Sequence, residues 1–277
     1  MIKFVKNLVK NNAFSAQVGR ALVDLQNFRR PPTVTPLGFR FTGNEGMMLG
    51  HFEKEETEVI RHQLQIADVF LSFGANIGYY RCLALQEGKP TLAVEPMTRN
   101  LRCLYQNIAL NGWQDRIEVL PLALGAGPGL MEIYGGGTTA SLVKGWSGTP
   151  EGYRQWIPVS TVDLLLGHRF NGQKLLVLVD VEGAEFALLS GASAFLVRDP
   201  QPVWIVEISV DEHLPAGQKV NVNLEKTFQL FWSAGYRAET ATSRPREVKP
   251  EEIARIAAGG ANTLGTHNFI FTPGENC

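Results

Sequence analysis

The chain has 277 residues, 44% hydrophobic and 19% charged, with a formal net charge of -1, which describes a globular protein with no global basic field to draw it onto nucleic acid. Its length allows one large core, or one core with a small appendage. The three cysteines, Cys82, Cys103 and Cys277, lie far apart without CxxC spacing, which fits a reducing compartment and argues against a disulfide framework or a zinc site.

In chain order, the opening MIKFVKNLVKNNAFSAQVGRALVDL spaces apolar residues at helical intervals with Lys3, Lys6, Lys10 and Arg20 between them. It reads as an amphipathic helix covering one side of the domain, because Lys6, Asn7 and Lys10 interrupt any signal-peptide core. No apolar run reaches membrane-spanning length, and cytoplasmic residence is the default expectation. Phe28 to Gly38 holds three prolines and a glycine, so it breaks the helical pattern. The expected division is a helical extension with a Pro-rich linker over 1–35 and the main domain over 36–277.

From there apolar runs alternate with helical patterns: ADVFLSFG, a helix over Tyr79 to Gln86, PTLAVEP, a helix over Met97 to Leu110, then RIEVLPLALG. That alternation predicts parallel strands joined by helical crossovers. Leu101, Leu104, Ile108 and Ala109 form the expected packing face of the second helix, and Asn111-Gly112 its stop. GLMEIY begins as a strand and enters a long Gly/Thr/Ser-rich loop with Trp146, Tyr153 and Trp156, whose length suggests a binding element. KLLVLVDVEGAEFALLSGA gives a strand and helix and QPVWIVEIS a strand; a helix over about 221–234, a strand near GYRAET and a closing strand HNFIFTP follow.

Gly74-Ala75-Asn76-Ile77-Gly78 follows a strand and opens a helix, where a glycine turn lets a ligand approach the backbone and a helix N-terminus can hold a carboxylate. It is not GxGxxG, which disfavours NAD or FAD and a dehydrogenase. Glu95, at the end of the neighbouring strand, is placed to grip a ribose diol. Ala123 and Leu124 in LPLALG suit a flat adenine face. Asp180, Glu182 and Glu185 crowd the turn after an all-apolar strand. Mutual repulsion there would suit one to general-base work, and one of the two glutamates is expected simply to favour its helix N-terminus. Glu207 occupies the same place on the next strand, and His213 follows in DEHLP. A divalent cation on Asp180, Glu182 and Glu207 is a secondary possibility, not favoured. The Asn/Asp-Pro-Pro-aromatic box of base amino-methyltransferases is missing, which argues further against nucleic acid.

FEKEETEVIRHQLQIADVFLSFGANIGYYRCLAL, AVEPMTRNLRCLYQNIALNGW, LPLALG, TTASLV, STVDLLL, VDVEGAEFALLSGA and VWIVEIS, in this order between Pro36 and Pro273, resemble the FkbM-type family of S-adenosylmethionine-dependent methyltransferases. The resemblance implies an α/β fold with a seven-stranded, mostly parallel, Rossmann-like class I sheet. It also implies O-methylation of a hydroxyl on a sugar, glycolipid or secondary metabolite, with a small-molecule or glycan acceptor and no integral membrane segment. Carried across, Gly74, Asn76 and Gly78 match the cofactor loop, Glu95 the ribose acid, Ala123 and Leu124 the adenine rest, and Asp180 the acid of the fourth strand. The candidate catalytic set is Asp180, Glu207 and His213; no metal site is assigned, and nothing in the sequence sets an oligomeric state. Two positions depart from the family pattern: Ser72 stands where an acid is usual, and Leu178 or Val179 where a basic residue is usual. The cofactor's ammonium then falls to Asp68, Asp180 or backbone carbonyls. A cofactor-binding module without turnover is the alternative that Ser72 raises.

Overall fold

The computed structural model describes residues 30–274; the expected N-terminal amphipathic helix and Cys277 lie outside them. A short hairpin, β1 (Thr33–Val34) and β2 (Arg40–Phe41), comes first, followed by α1 (Glu45–Met48) and α2 (Lys54–Ile66). The hairpin pairs residues on both sides of position 35 and buries Phe39 and Phe41 edge-on against Tyr79.

The chain then alternates strand and helix: β3 (Val69–Phe73), α3 (Tyr79–Gln86), β4 (Thr91–Val94), α4 (Thr98–Leu110) and β5 (Ile117–Leu120). A second small sheet comes next, built from β6 (Ala123–Leu124), β7 (Gly129–Tyr134) and β8 (Arg154–Ser160). After α5 (Val162–Leu166) the main sheet resumes with β9 (Leu175–Val179), α6 (Glu185–Ser190), α7 (Ser193–Leu196) and β10 (Val203–Glu207). It closes with α8 (Leu224–Ser233), β11 (Tyr236–Thr240), α9 (Pro250–Ala257) and β12 (Asn268–Pro273).

The main sheet has seven strands in the order β11-β12-β10-β9-β3-β4-β5. β12 runs antiparallel to both its neighbours, and the pairs β10/β9, β9/β3, β3/β4 and β4/β5 are parallel. Strands covered by helices on both faces must be apolar on both, and VFLSF and LLVLV are buried at every position. One face joins Leu71, Phe73, Val177 and Trp204 to Phe228 and Phe231 of α8. The other joins Phe70, Leu176, Leu178 and Ile205 to Ile60 and Leu64 of α2 and Leu83 of α3. Strand order reverses between β3 and β9, the place where open α/β sheets leave a crevice beyond their carboxyl ends.

Two local expectations change. RIEVLPLALG is not one strand: the main-sheet strand stops at Leu120, and Ala123–Leu124 pairs with β8 in the second sheet. On α4, Leu101, Leu104 and Ile108 are buried as expected, but Ala109 is exposed and Asn107 is fully buried instead. Asn107 is satisfied there, accepting from Thr42 N at 2.9 Å and donating to Thr42 O and Ile77 O.

Candidate functional site

A cleft of about 560 Å³, open solvent included, lies at the carboxyl ends of β3, β4 and β9. Gly74, Asn76, Glu95, Ala123, Leu124 and Asp180 all line it; Ser72, Gly78, Glu207 and His213 do not.

The two glycines of the β3–α3 loop are required first by the protein's own packing. Gly74 has φ +86, and a Cβ there would lie 1.7 Å from the Asp180 carbonyl oxygen. Gly78, at φ +97, sits against Leu104 of α4, whose Cδ1 would be 2.5 Å from a Cβ. Gly78 is therefore a helix-packing residue rather than an opening for a ligand. Between them Asn76 takes φ +49, a left-handed conformation that asparagine tolerates because its short side chain bonds locally. Its Oδ1 accepts from Ile77 N at 2.8 Å.

Glu95 binds this loop to the end of β4. Oε2 accepts from Asn76 N at 2.7 Å, and Oε1 from Met97 N at 2.9 Å and Asn100 Nδ2 at 3.1 Å. Burial raises its pKa, and these three hydrogen bonds together with Arg81 oppose the rise. A carboxylate has about four acceptor positions, so Oε2 keeps capacity for a ligand hydroxyl. Opposite it, Ala123, Leu124, Met97 and Ile133 form an apolar slot, and Gly137, Thr138 and Ala140 of the β7–β8 connection complete the lining. Met97, Asn100 and Thr138 carried no sequence signal, because the fold recruits them from a helix start and a loop interior.

Arg81 is the largest omission from the sequence reading. Its side chain is buried on α3 and donates to Gly74 O at 2.7 Å. Burial lowers its pKa to about 10, opposed by Asp180 and Glu95. It thus remains a cation at neutral pH beneath the Gly74–Gly78 turn. A single arginine in a helical pattern has no periodicity to mark it as internal.

The acids after β9 separate into distinct roles. Glu185 accepts from Gly183 N at 2.9 Å, which ties down the turn before its own helix, and burial raises its pKa to about 7. Glu182, at φ +53, accepts from Trp146 Nε1 at 2.8 Å, while its carbonyl accepts from Ser141 Oγ. Asp180 is held well above its ordinary pKa by burial and by Glu182, partly offset by Arg81. Glu207 is pushed up to about 11 by burial, Asp180 and Glu182. Among the described residues no set of three or more His, Cys, Asp or Glu side chains is arranged to hold a metal ion, Asp180, Glu182 and Glu207 included.

His213 is exposed, with Nδ1 2.8 Å from Ser147 Oγ and its carbonyl accepting from Ser147 N at 2.7 Å. Trp146 is buried, its ring so close over Gly183 that a Cβ there would come within 2.5 Å. It is the core beneath its loop rather than a free stacking platform, whereas Trp156 is 66% exposed on β8. Glu53, Asn76, Ser147, Glu182 and His213 all have positive φ without being glycine. Such strained residues gather where surrounding structure and function over-determine them.

Ser72 is fully buried and its Oγ has no hydrogen-bond partner. Asp68 accepts from Lys174 N at the amino end of β3, opposite the cleft, and cannot stand in for it. Cys82 and Cys103 are free, buried thiols, and burial raises Cys82 to about 12.

The seven-stranded order with one antiparallel strand, and a cleft at its reversal point, define a class I methyltransferase fold. The methyltransferase FkbM domain model matches residues 72–238, more than half of the sequence, and the chain belongs to that family. Similar solved structures include the methyltransferase FkbM from Methylobacillus flagellatus KT, at 16% identity over 74% of this chain with a TM-score of 0.45. This chain spans 44% of that protein's length. A putative O-methyltransferase from Klebsiella pneumoniae is 11% identical, with 79% of each chain covered and a TM-score of 0.45. An O-methyltransferase from Bacillus cereus in complex with SAH is 14% identical over 79% of this chain and 80% of that one, with a TM-score of 0.44. None of the curated proteins matches the chain. No helix among the described residues is long and apolar enough to cross a membrane.

Proposed function

We propose that the protein is an S-adenosylmethionine-dependent O-methyltransferase acting on a hydroxyl of a sugar, glycolipid or secondary metabolite. The observation that carries this is the convergence of Glu95, the Ala123–Leu124 slot and Asp180 on one cleft. Those residues fit the cofactor's parts: Glu95 its ribose hydroxyls, the slot its adenine, and Asp180 its cationic methionine end. When bound, the cofactor supplies an electrophilic methyl on a sulfonium.

The chain's own task is to align an acceptor oxygen, exclude water and take a proton. Asp180 is the candidate base, because it lines the cleft at the carboxyl end of β9. Glu207, at the end of the neighbouring strand β10, is the candidate to orient the acceptor. His213 is kept outside by Ser147, which favours Asp180 over it. The loop over 135–153 supplies part of the cleft wall and, pinned through Trp146 to Glu182, keeps solvent from that side.

Calorimetry with S-adenosylmethionine, followed by labelled-methyl transfer to a panel of hydroxylated acceptors, tests the reading. Binding with transfer is expected; binding without transfer to any acceptor would favour a cofactor-binding module, and no binding would remove both.

A further inference from the structure

One side chain joins Glu95 to the long connection between β7 and β8. Asn100, in the first turn of α4, is only 4% exposed, and its Nδ2 donates to Glu95 Oε1 at 3.1 Å and to Gly137 O at 3.2 Å. Both partners are acceptors, which fixes the orientation of the amide. The contact is not a helix cap: a capping side chain accepts from backbone N–H groups of its own helix, whereas this amide gives its hydrogens to two other elements. Asn76, Glu95, Asn100 and Gly137 all line the cleft. A chain of hydrogen bonds thus crosses the cleft wall, from Asn76 N through Glu95 and Asn100 to Gly137 O.

Gly137 stands at the tip of a small closed loop. Tyr134 and Ser141 exchange two backbone hydrogen bonds, at 2.8 and 3.0 Å, and so fix its ends. The run Gly135-Gly136-Gly137 gives the tip wide backbone freedom, and ordering it costs about 1–2 kcal/mol per residue. The bond from Asn100 is a tether for that tip. Beyond it, Ser141 Oγ donates to Glu182 O and accepts from Val143 N at 2.9 Å, and Trp146 Nε1 donates to Glu182 Oε2 at 2.8 Å. Glu182 lines the same cleft, so the tip and the wall at Glu182 are parts of one bonded unit.

We propose that Asn100 is a positioning residue that couples cofactor binding to the ordering of the loop on the acceptor side. Glu95 Oε1 already accepts from Met97 N and Asn100, whereas Oε2 accepts from Asn76 N alone. A ribose hydroxyl on Oε2 completes the set and holds the carboxylate in one orientation. The fixed Oε1 holds Asn100, Asn100 holds Gly137, and the segment over 141–149 is ordered in turn. The acceptor then meets a formed wall after the cofactor has bound, and by linkage a bound acceptor tightens the cofactor by the same factor. The proposal rests on the reading of Glu95 as the ribose acid.

Hydrogen exchange followed by NMR on the full-length protein, with S-adenosylhomocysteine as the probe, tests it. The reporters are the amides of Val143, Trp146, Ser147 and Thr149, which are hydrogen-bonded and belong to residues that do not line the cleft. Saturating S-adenosylhomocysteine is expected to slow them at least about fivefold in the wild type and less than about twofold in Asn100→Ala and Asn100→Asp, the second of which keeps the side chain's shape and loses both donors. A purely structural role for Asn100 would lower affinity but leave the slowing at saturation intact. Equal slowing in wild type and variants, or no slowing in wild-type protein that does bind S-adenosylhomocysteine, would each overturn the proposal while leaving the cofactor site in place. Absence of binding by the wild type would remove the cofactor reading, and the proposal with it.

Discussion

Ser72 and Leu178 stand side by side, register partners on the adjacent parallel strands β3 and β9. The resemblance places an acid at the first position and a basic residue at Leu178 or Val179, and all three side chains here are neutral. The alternation of β9 selects Leu178 over Val179, which faces the opposite core. Neither residue brings a charge into the sheet, where both are buried.

Restoring only one charge should therefore be costly. Ser72→Asp or Leu178→Lys alone is expected to destabilise the fold by about 3–5 kcal/mol, as for one uncompensated buried charge. The double variant should recover much of that loss, giving a large coupling energy in a denaturant-unfolding cycle. Ser72→Ala, which removes an unpartnered hydroxyl, should be close to neutral. Independent, additive effects of the two charged substitutions would show that the positions do not communicate.

The two loop glycines should respond differently to alanine. At Gly74 the new Cβ meets a backbone carbonyl, which cannot move without displacing β9, so Gly74→Ala should cost at least about 2 kcal/mol and abolish cofactor binding. At Gly78 it meets the tip of Leu104, which can rotate away, so Gly78→Ala should cost about 1–2 kcal/mol and leave measurable affinity. Urea unfolding and calorimetry on both variants check this order.

His267 and Glu212 form a pair whose pH dependence has a definite sign. Nδ1 of His267 lies 3.0 Å from Glu212 Oε1. The hydrogen bond to Glu212 raises the histidine's pKa and holds the glutamate well below the usual carboxylate range. Stability from the raised histidine is fully present below its unfolded value, about 6.5, and fades as pH rises through the higher folded value. Stability from the depressed glutamate is present above the ordinary carboxylate range and fades only in acid. The wild type should thus exceed Glu212→Gln in stability most clearly between about pH 5 and 6.5. An NMR titration should find His267 above its ordinary value in the wild type and lower in Glu212→Gln; an unchanged midpoint would break the pairing.

Trp146 should hold the long loop down through Glu182 and Gly183. Trp146→Ala is expected to cost about 3–5 kcal/mol. Trp146→Phe keeps the packing but leaves Glu182 without its indole donor, and should raise the acceptor KM more than the cofactor KM. Equal changes in the two would place the loop's influence elsewhere.

Much of the architecture was legible because periodicity is a local signal. The helix over Tyr79 to Gln86 and the buried strands follow from the spacing and uniformity of their apolar residues, and the glycine turn, Glu95 and Asp180 from their places at strand ends. What was not legible depends on partners distant in sequence. Arg81, Asn107 and Asn268 look like surface residues until the fold supplies Gly74, Thr42 and Glu56. Ala123–Leu124 looks like the end of a main-sheet strand until β8 claims it. Register, which composition does not reveal, makes one contact of Ser72 and Leu178.

Calorimetric titration of S-adenosylhomocysteine into the wild type and Glu95→Ala tests the central claim most directly. One site per chain is expected in the wild type, with affinity at least about 30-fold weaker in Glu95→Ala, since both a ligand carboxylate and the anchor of the Asn76 loop are lost. Absence of binding in the wild type, or equal affinity in the two proteins, would contradict the assignment of this cleft as the cofactor site.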